Sequence, residues 1–412
     1  MRTPHNIFLI ELNLDGTPGG SYRSLLYLVK HLDRMRFNPI VAFYREHPIL
    51  DEFHQTGCKT LLLEYPTPIN LVNRYSILKS PVFKIVRLIL LFVQKVYNFI
   101  SVFISLFFRV LVLFHKEKIR LVHLNNGVGV AGIELLLAAK VLGIHCTVHQ
   151  RGIHPVARWQ RKLSGWMDHI ICVSDAARDN LIANGIPSDK CTTVHNGIDQ
   201  EDFFSKIKRD PDTVKKSLGI SSHRPIVGIG AMIQEWKGQI VLLKAMHRLR
   251  EKHPDLLCLI VGGVSDRDEQ SKAYFGEIVE FIRKNGLTPW VRILGYEKNV
   301  GEVLQIFDVM VHASIDPEPF SRVVLEGMLL GRAIVGTSTG GTVEQIEHRI
   351  SGILIPPNSP AELATQIDYL LRNPSVRENL GIQARQKVIR DFLIGPHVEG
   401  TERIFDAVLS RR

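Results

Sequence analysis

The sequence predicts an α/β protein made of two doubly wound, Rossmann-like domains that face each other across a cleft. Three observations predict it. At 412 residues the chain exceeds what one ordinary core serves, so two domains are the default. Short apolar runs alternate with helical patterns along its whole length, which is βα repetition and hence parallel sheet. A polar, charged stretch, QEDFFSKIKRDPDTVKKSLGISSHR at 200–224, then breaks the pattern just before a fresh strand, PIVGIGA. The domains are accordingly drawn at 1–200 and 201–390. Residues 391–412 are read as a C-terminal helix packing back on the first domain.

Composition fits a folded globular chain, with 45% hydrophobic and 22% charged residues. Cys58, Cys146, Cys172, Cys191 and Cys258 are scattered and show no C-x-x-C spacing. Neither a zinc site nor a disulfide framework is expected, and a reducing, cytoplasmic compartment fits. The opening MRTPHNIFLIEL reads as a first strand and not as a signal peptide, because its apolar run is very short.

In the first half, residues 6–12 form a buried-strand pattern. The loop NLDGTPGG follows, and a helix begins near Ser21 with Leu25, Leu28, Val29 and Leu32 on one face. A glycine loop between strand and helix is a phosphate cradle when backbone N–H groups and the helix dipole point at a ligand. Gly19 and Gly20 are candidates for that role, with a plain tight turn as the alternative. The runs PIVAFY, TLLLEY, IRLVHL, CTVH, HIICVS and TTVH are strands, and VAGIELLLAAKVLG and DAARDNLIANG are helices between them. His123 ends IRLVHL, and His149 ends CTVH, followed by Arg151 and His154. Ligands of open α/β sheets bind at the carboxyl ends of strands. These residues are therefore expected to point into the cleft as donors to a reacting centre, a structural role being the alternative.

Residues 82–114 interrupt the alternation. Between Tyr65 and Lys116 there is no acidic residue, while Arg74, Lys79, Lys84, Arg87, Lys95, Arg109 and Lys116 are present. A membrane-spanning helix needs about 20 apolar residues without charge, and the longest uncharged piece here is 96–108. Spanning is not expected. Two readings remain: a long core helix, or a helix lying in the membrane interface with its apolar face down and its cations at phosphate level. The missing acids favour the second, which places the protein at the inner face of the cytoplasmic membrane. The net charge of +10 also admits nucleic acid. No recognition helix or stacking motif accompanies it, and a nucleic-acid partner is not expected.

The second half repeats the plan. PIVGIGA, LLCLIVGG, VRILGY, VMVH, AIVG and GILIP are strands, with helices at 239–253 and 274–284 and a helix start at Ser359-Pro360. Two stretches carry chemistry. In GAMIQEWKGQ, Lys237 follows a strand end and precedes a helix, where a cation can neutralise a diphosphate. In SIDPEPFSRVVLEGMLLGRAIVGTSTGGTVE, at 314–344, Glu318 sits in a loop and Glu326 on a helix, with seven residues between them. Ionised carboxylates so placed suit hydrogen bonds to sugar and ribose hydroxyls. Glu326 lies among Val324, Leu325, Met328 and Leu329, which argues against a solvated face. Two D-x-D matches, Asp210–Asp212 and Asp266–Asp268, lack converging oxygens, and no metal is expected.

Together these motifs make the chain resemble the family 4 retaining glycosyltransferases (glycosyl transferases group 1), which have the GT-B fold. The resemblance rests on VSDAARDNLIANGIPSDKCTTVHNGID with its N-G-x-D turn at 196–199, on WKGQ, and on DPEPFSRVVLEGMLLGRAIVGTSTGGTVEQI with its E-x7-E spacing. It implies sugar transfer from a nucleotide sugar to a glycan or lipid-linked acceptor, with retention of configuration and no metal or other cofactor. By position, Glu326 would hold the ribose, and Glu318 would sit at the sugar. The backbone of Phe320 and Ser321 and the Gly340-Gly341 turn would lie near the donor, with Arg322 beside them. Lys237 would neutralise the leaving phosphate, Gly19 and Gly20 would close over it, and His149 would face the far side of the sugar. His123, Arg151 and His154 would face the acceptor. One departure stands out: the family's usual arginine five residues before the lysine is here Met232, and Arg322 or Arg151 is the candidate replacement. A non-catalytic nucleotide-sugar-binding subunit and a sugar-nucleotide epimerase on the same fold are the alternatives.

Overall fold

The computed structural model describes residues 3–13, 19–64, 69–70, 84–129, 132–265 and 268–411. Two parallel sheets organise the chain. The first contains β1 (His5–Glu11), β2 (Phe37–Phe43), β3 (Lys59–Leu62), β4 (Leu121–Leu124), β5 (His145–Gln150), β6 (His169–Cys172) and β7 (Cys191–Thr193), in the order β3-β2-β1-β4-β5-β6-β7. The second contains β8 (Ile226–Gly230), β9 (Leu257–Val261), β10 (Val291–Gly295), β11 (Val309–His312), β12 (Ala333–Thr337) and β13 (Ile353–Ile355), in the order β10-β9-β8-β11-β12-β13. Strand order reverses at β1–β4 and again at β8–β11, where Ile7 pairs with Leu121 and Val309 with Val227. Such a switch opens a crevice at the carboxyl ends of the strands, and the two crevices face one another. This is the GT-B architecture.

The helices that matter to the site are α1 (Gly20–His31), α2 (Lys84–Lys116), α3 (Ile133–Val141), α4 (Asp175–Ala183), α5 (Gln239–Leu249), α6 (Arg322–Leu329), α7 (Pro374–Asp391) and α8 (Ile394–Leu409). The chain leaves the second sheet along α7, which packs on α6. It then turns at 392–394, where Ile198 donates its N–H to Phe392 O (2.9 Å) and takes one from Ile394 (3.0 Å). Gly197 has no room for a side chain there, because a Cβ would lie 2.7 Å from Ile394 Cα and 2.8 Å from Leu393 O. The N-G-x-D turn is thus the socket for the returning chain. Beyond it α8 packs on α1, β5 and β6. Phe405 inserts beside Phe37, and Glu402 accepts the Asp33 N–H (2.7 Å) and pairs with Arg36.

Two local features have defined hydrogen bonds. The Ser359 side chain does not cap the helix it precedes; its hydroxyl donates to Pro357 O at 3.2 Å. Asp210 of the first D-x-D is a helix N-cap, accepting from the Thr213 N–H at 2.9 Å. Asp266 of the second lies outside the described residues.

Helix α2 is 33 residues long, about 50 Å at 1.5 Å per residue. Only its C-terminal part serves the core. Leu106, Val110 and Phe114 are buried against the sheet and α3, with Phe114 edge-on to Phe8. The part at Lys84–Asn98 buries no residue, and Phe92 and Phe99 are 69% and 61% exposed. A long core helix therefore accounts for only the last third. Among the described residues this is the one helix long and apolar enough to cross a membrane by length and composition, and Lys84, Arg87, Lys95 and Arg109 punctuate it. Residues 71–83 lie outside the described residues.

Candidate functional site

A cleft of about 750 Å³ separates the domains. Its second-domain wall begins where β8 ends at Gly230 and continues through Met232, Trp236 and Lys237 to the 316–323 loop. Gly238 makes this wall possible. It has φ +71°, and a Cβ would stand 2.0 Å from Ala313 O, so the Lys237 turn sits directly on the end of β11. The Lys237 ammonium pairs with the Glu318 carboxylate and lies 3.8 Å from the centroid of the Trp236 ring. Ser314 Oγ donates to Glu318 at 3.3 Å, and His312 Nε2 lies 3.7 Å away. Burial alone would raise the Glu318 pKa, but Lys237, His312 and these hydrogen bonds outweigh it and hold the carboxyl below its ordinary range. Burial pushes His312 down to about 4, so it is neutral at physiological pH.

The Glu318 loop is held from behind. Gly341 donates its N–H to Glu318 O (2.7 Å), and a Cβ at Gly340 or Gly341 would meet the Glu318 or Pro319 carbonyl within 2.2 Å. These two glycines were expected at the donor; they lie behind the cleft wall, and close backbone packing is what requires them. Phe320 stacks on His195 at 5.0 Å. The Ser321 N–H, expected near the diphosphate, already donates to Gln345 Oε1 (3.1 Å), whose amide returns a bond to Ser321 O (2.7 Å). Phe320 itself lines the cleft.

Arg322 lines the cleft but reaches across it. Its guanidinium lies 4.9 Å from the Tyr27 ring centroid, 3.5 Å from Ser24 Oγ and 3.4 Å from Gly197 O. Glu326, one turn further along α6, does not line the cleft; it is half-buried on the side of α6 near Arg23 and Lys206. Burial raises its pKa, with Arg322, Arg23 and Lys206 opposing, and among the described residues no hydrogen bond ties its carboxylate down.

The first-domain wall is built from Gly20, Ser21, Ser24, Asn126 and residues 151–154. Gly20 sits against Arg322, with a Cβ 3.3 Å from Arg322 Cδ, whereas Gly19 does not line the cleft. Behind this wall lies a polar network that the sequence reading missed. Glu11, fully buried at the end of β1, accepts from Ser21 Oγ (3.1 Å), Asn125 Nδ2 (2.6 Å) and Asn126 Nδ2. Arg151 donates to Asn125 O (2.8 Å) and to Asn196 Oδ1 (2.8 Å). Burial draws Arg151 down to about 9, with Glu11 opposing; it remains a cation at neutral pH. The one available signal was a glutamate closing the apolar run NIFLIE.

His123 and His149 are corrections. Neither lines the cleft, and both are fully buried. Strand side chains alternate, so His123, Thr147 and His149 share one face of the sheet, and α8 covers that face. The His149 ring lies 5.5 Å from His123 and 5.6 Å from His397, and His123 packs on Phe405 at 5.2 Å. Arg151 and His154, past the strand end, are the residues that reach the cleft. Burial depresses all three histidines, His123 and His397 to about 3 and His149 well below its ordinary value. The unfolded chain then binds protons near pH 6.5 that the folded one refuses. Their stabilising contribution is complete above pH 6.5 and is lost as pH falls toward 3, at up to ~1.4 kcal/mol per unit and group. Glu11, raised by burial, offsets part of this. Urea unfolding should show a lower midpoint at pH 5.5 than at 7.5, and His149→Phe should shrink the difference; equal midpoints in the parent protein would refute it.

Among the described residues, one group of potential metal ligands comes together, Asp175, His195 and Glu344, with ligand atoms within 4.8 Å of one another. It lies at the domain boundary, apart from the cleft lining.

Comparison with known proteins fits this geometry. A family model described as Glycosyltransferase Family 4 matches residues 18–202, and one described as Glycosyl transferases group 1 matches residues 210–387. Alpha-maltose-1-phosphate synthase of Mycolicibacterium smegmatis is 24% identical over 66% of this chain and 75% of its own length. N-acetyl-alpha-D-glucosaminyl L-malate synthase of Bacillus anthracis is 30% identical over 54% of this chain and 55% of its own. A Rickettsia africae glycosyltransferase superposes with a TM-score of 0.80 at 20% identity over 100% of both chains. Anabaena HepE, solved in complex with UDP-glucose, gives 0.78 at 20% identity over 98% of this chain and 99% of that one. At such identities the structures speak for the fold.

Proposed function

The chain belongs to glycosyltransferase family 4, and from that premise we propose a retaining, metal-independent transferase that moves a sugar from a nucleotide-sugar donor to a glycan or lipid-linked acceptor in cell-envelope polysaccharide synthesis. The observation that carries the reading is the Lys237–Glu318 pair on the second-domain wall, opposite a first-domain wall containing Arg151 and Arg322's partner Ser24. A donor diphosphate competes for Lys237. Once Lys237 turns to phosphate, Glu318 is free to accept from sugar hydroxyls, so donor binding itself sets the carboxylate. In the transfer step the bond between the anomeric carbon and the diphosphate oxygen breaks, and the electron pair leaves with the phosphate. The acceptor hydroxyl attacks from the same face and gives its proton to the departing phosphate oxygen. The main task of the protein is to stabilise that leaving charge. Lys237 is the group positioned for it, while Glu326, one turn along α6 from the cleft-lining Arg322, would take a ribose that extends past the cleft wall.

UDP-glucose in HepE makes a uridine nucleotide the first donor to try. A nucleotide-sugar panel followed by ligand-observed NMR tests the reading, through binding and slow hydrolysis of one donor. A protein that binds nucleotide but turns over no donor supports a non-catalytic subunit instead; conversion of donor without acceptor supports an epimerase.

The membrane clause is carried by α2, apolar and exposed over Lys84–Asn98 with basic residues and no acid along it. Such a rod suits the interface of an anionic bilayer. The protein should float with phosphatidylglycerol vesicles at low salt and release as salt rises. Equal indifference to anionic and neutral vesicles would remove the clause.

A further inference from the structure

The Asp175–His195–Glu344 group has its ligand atoms already engaged, and what engages them joins the domains. Glu344 comes from the short helix Thr342–Gln345, directly after the Gly340-Gly341 turn. Its carboxylate crosses to the first domain and accepts the N–H groups of Asp175 (2.9 Å) and Ala176 (2.9 Å) at the start of α4. The same carboxylate meets His195 Nε2 at 2.8 Å. Asp175 is held in turn by Thr193 Oγ1 and Arg178, both at 2.7 Å. An anion at a helix start satisfies orphan N–H groups and the positive end of the dipole together.

The other side of the Glu344 turn supports the donor loop. Gly341 donates to Glu318 O at 2.7 Å, and a Cβ there would lie 3.1 Å from Ser174 Cβ, which precedes α4. His195, the imidazole paired with Glu344, is also the ring on which Phe320 stacks. A few residues thus grip the first domain with one hand and the Glu318–Phe320 loop with the other. We propose that Glu344 is a domain-closing latch: a positioning residue that holds α4 against the donor loop and so brings the first-domain wall over the bound donor. Its activity readout rests on the glycosyltransferase reading; its conformational readout does not.

The test uses the full-length protein with Glu344→Ala and Glu344→Gln. UDP, GDP and ADP are titrated to find the nucleotide that binds the parent best. For Glu344→Ala, affinity for that nucleotide should stay within about two-fold, because the second domain supplies that site, while kcat falls at least about ten-fold as the walls lose register. Small-angle scattering should show a larger radius of gyration than the parent's, with nucleotide present. Glu344→Gln keeps the shape and one acceptor oxygen and should lie between the two. An unchanged scattering curve with unchanged kcat would overturn the latch. So would joint loss of nucleotide affinity and melting temperature, which marks a fold defect, or a chelator reproducing the alanine phenotype in the parent, which marks a metal site. If the parent transfers no sugar in the donor panel, the functional reading fails while scattering and nucleotide binding still decide the latch.

Discussion

Lys237→Ala is expected to lower kcat by about 10²–10³-fold, the loss typical of removing one preorganised group that stabilises a developing anion. The effect should be at the large end because the second-domain wall has little else. Met232 occupies the place of the family's usual arginine and lines the cleft without charge. Arg151 is committed to Asn125 and Asn196, and Arg322 to Ser24, Gly197 and the Tyr27 face. Neither guanidinium is placed to replace Lys237 without leaving those partners. The substitution also leaves Glu318 nearly buried without its counter-charge, which costs about 3–5 kcal/mol when a buried pair is broken. Melting must therefore be followed alongside rate. Lys237→Ala,Glu318→Gln removes that strain and should recover stability without recovering kcat. A kcat within three-fold of the parent's would remove Lys237 from the chemistry.

How far the sequence led can be judged from particular residues. The two sheets were legible because parallel strands buried on both faces read as short apolar runs, and β8, β11 and β12 are such runs. The Glu318 loop and Lys237 were legible from their place after apolar strands and from the WKGQ and E-x7-E motifs; what the glycines beside them do, packing against Ala313 O and Glu318 O, was not. The histidines were misplaced for a physical reason. A strand end says that a side chain is near the crevice, but not which face it leaves from, and α8, which covers His123 and His149, arrives more than two hundred residues later in the chain. Glu11 was missed because a single charge at the end of an apolar strand looks like an exposed terminus, whereas three side-chain donors converge on it. Arg322 was placed at the donor by its motif; its grip on α1 depends on domain packing, which no local pattern encodes.

Glu326→Ala should act on donor affinity and leave the saturated rate comparatively high. A charge-assisted hydrogen bond is worth about 1.5–3 kcal/mol, so losing the ribose contact should raise the donor KM by about 10–150-fold, with kcat falling far less than in Lys237→Ala. Glu326 stands outside the cleft lining, one turn along α6 from Arg322, so the prediction requires the ribose to reach past that wall. Glu326 is half-buried on α6, none of the described residues hydrogen-bonds it, and burial raises its pKa against the pull of Arg322, Arg23 and Lys206. Accepting from two hydroxyls favours its ionised form, so donor binding should lower that pKa, and the donor KM should rise as pH falls toward the carboxylate range. Glu318 is shifted the opposite way, held ionised by Lys237. A raised and a lowered carboxyl in one motif also describe an acid–base pair, and kinetics separates the two meanings. Ribose and sugar holders move donor KM with pH on the acid side and put no bell in kcat. A bell-shaped kcat profile whose acid limb disappears in Glu318→Gln and whose basic limb disappears in Glu326→Gln would make the pair a catalytic acid and base and overturn the assignment of both residues.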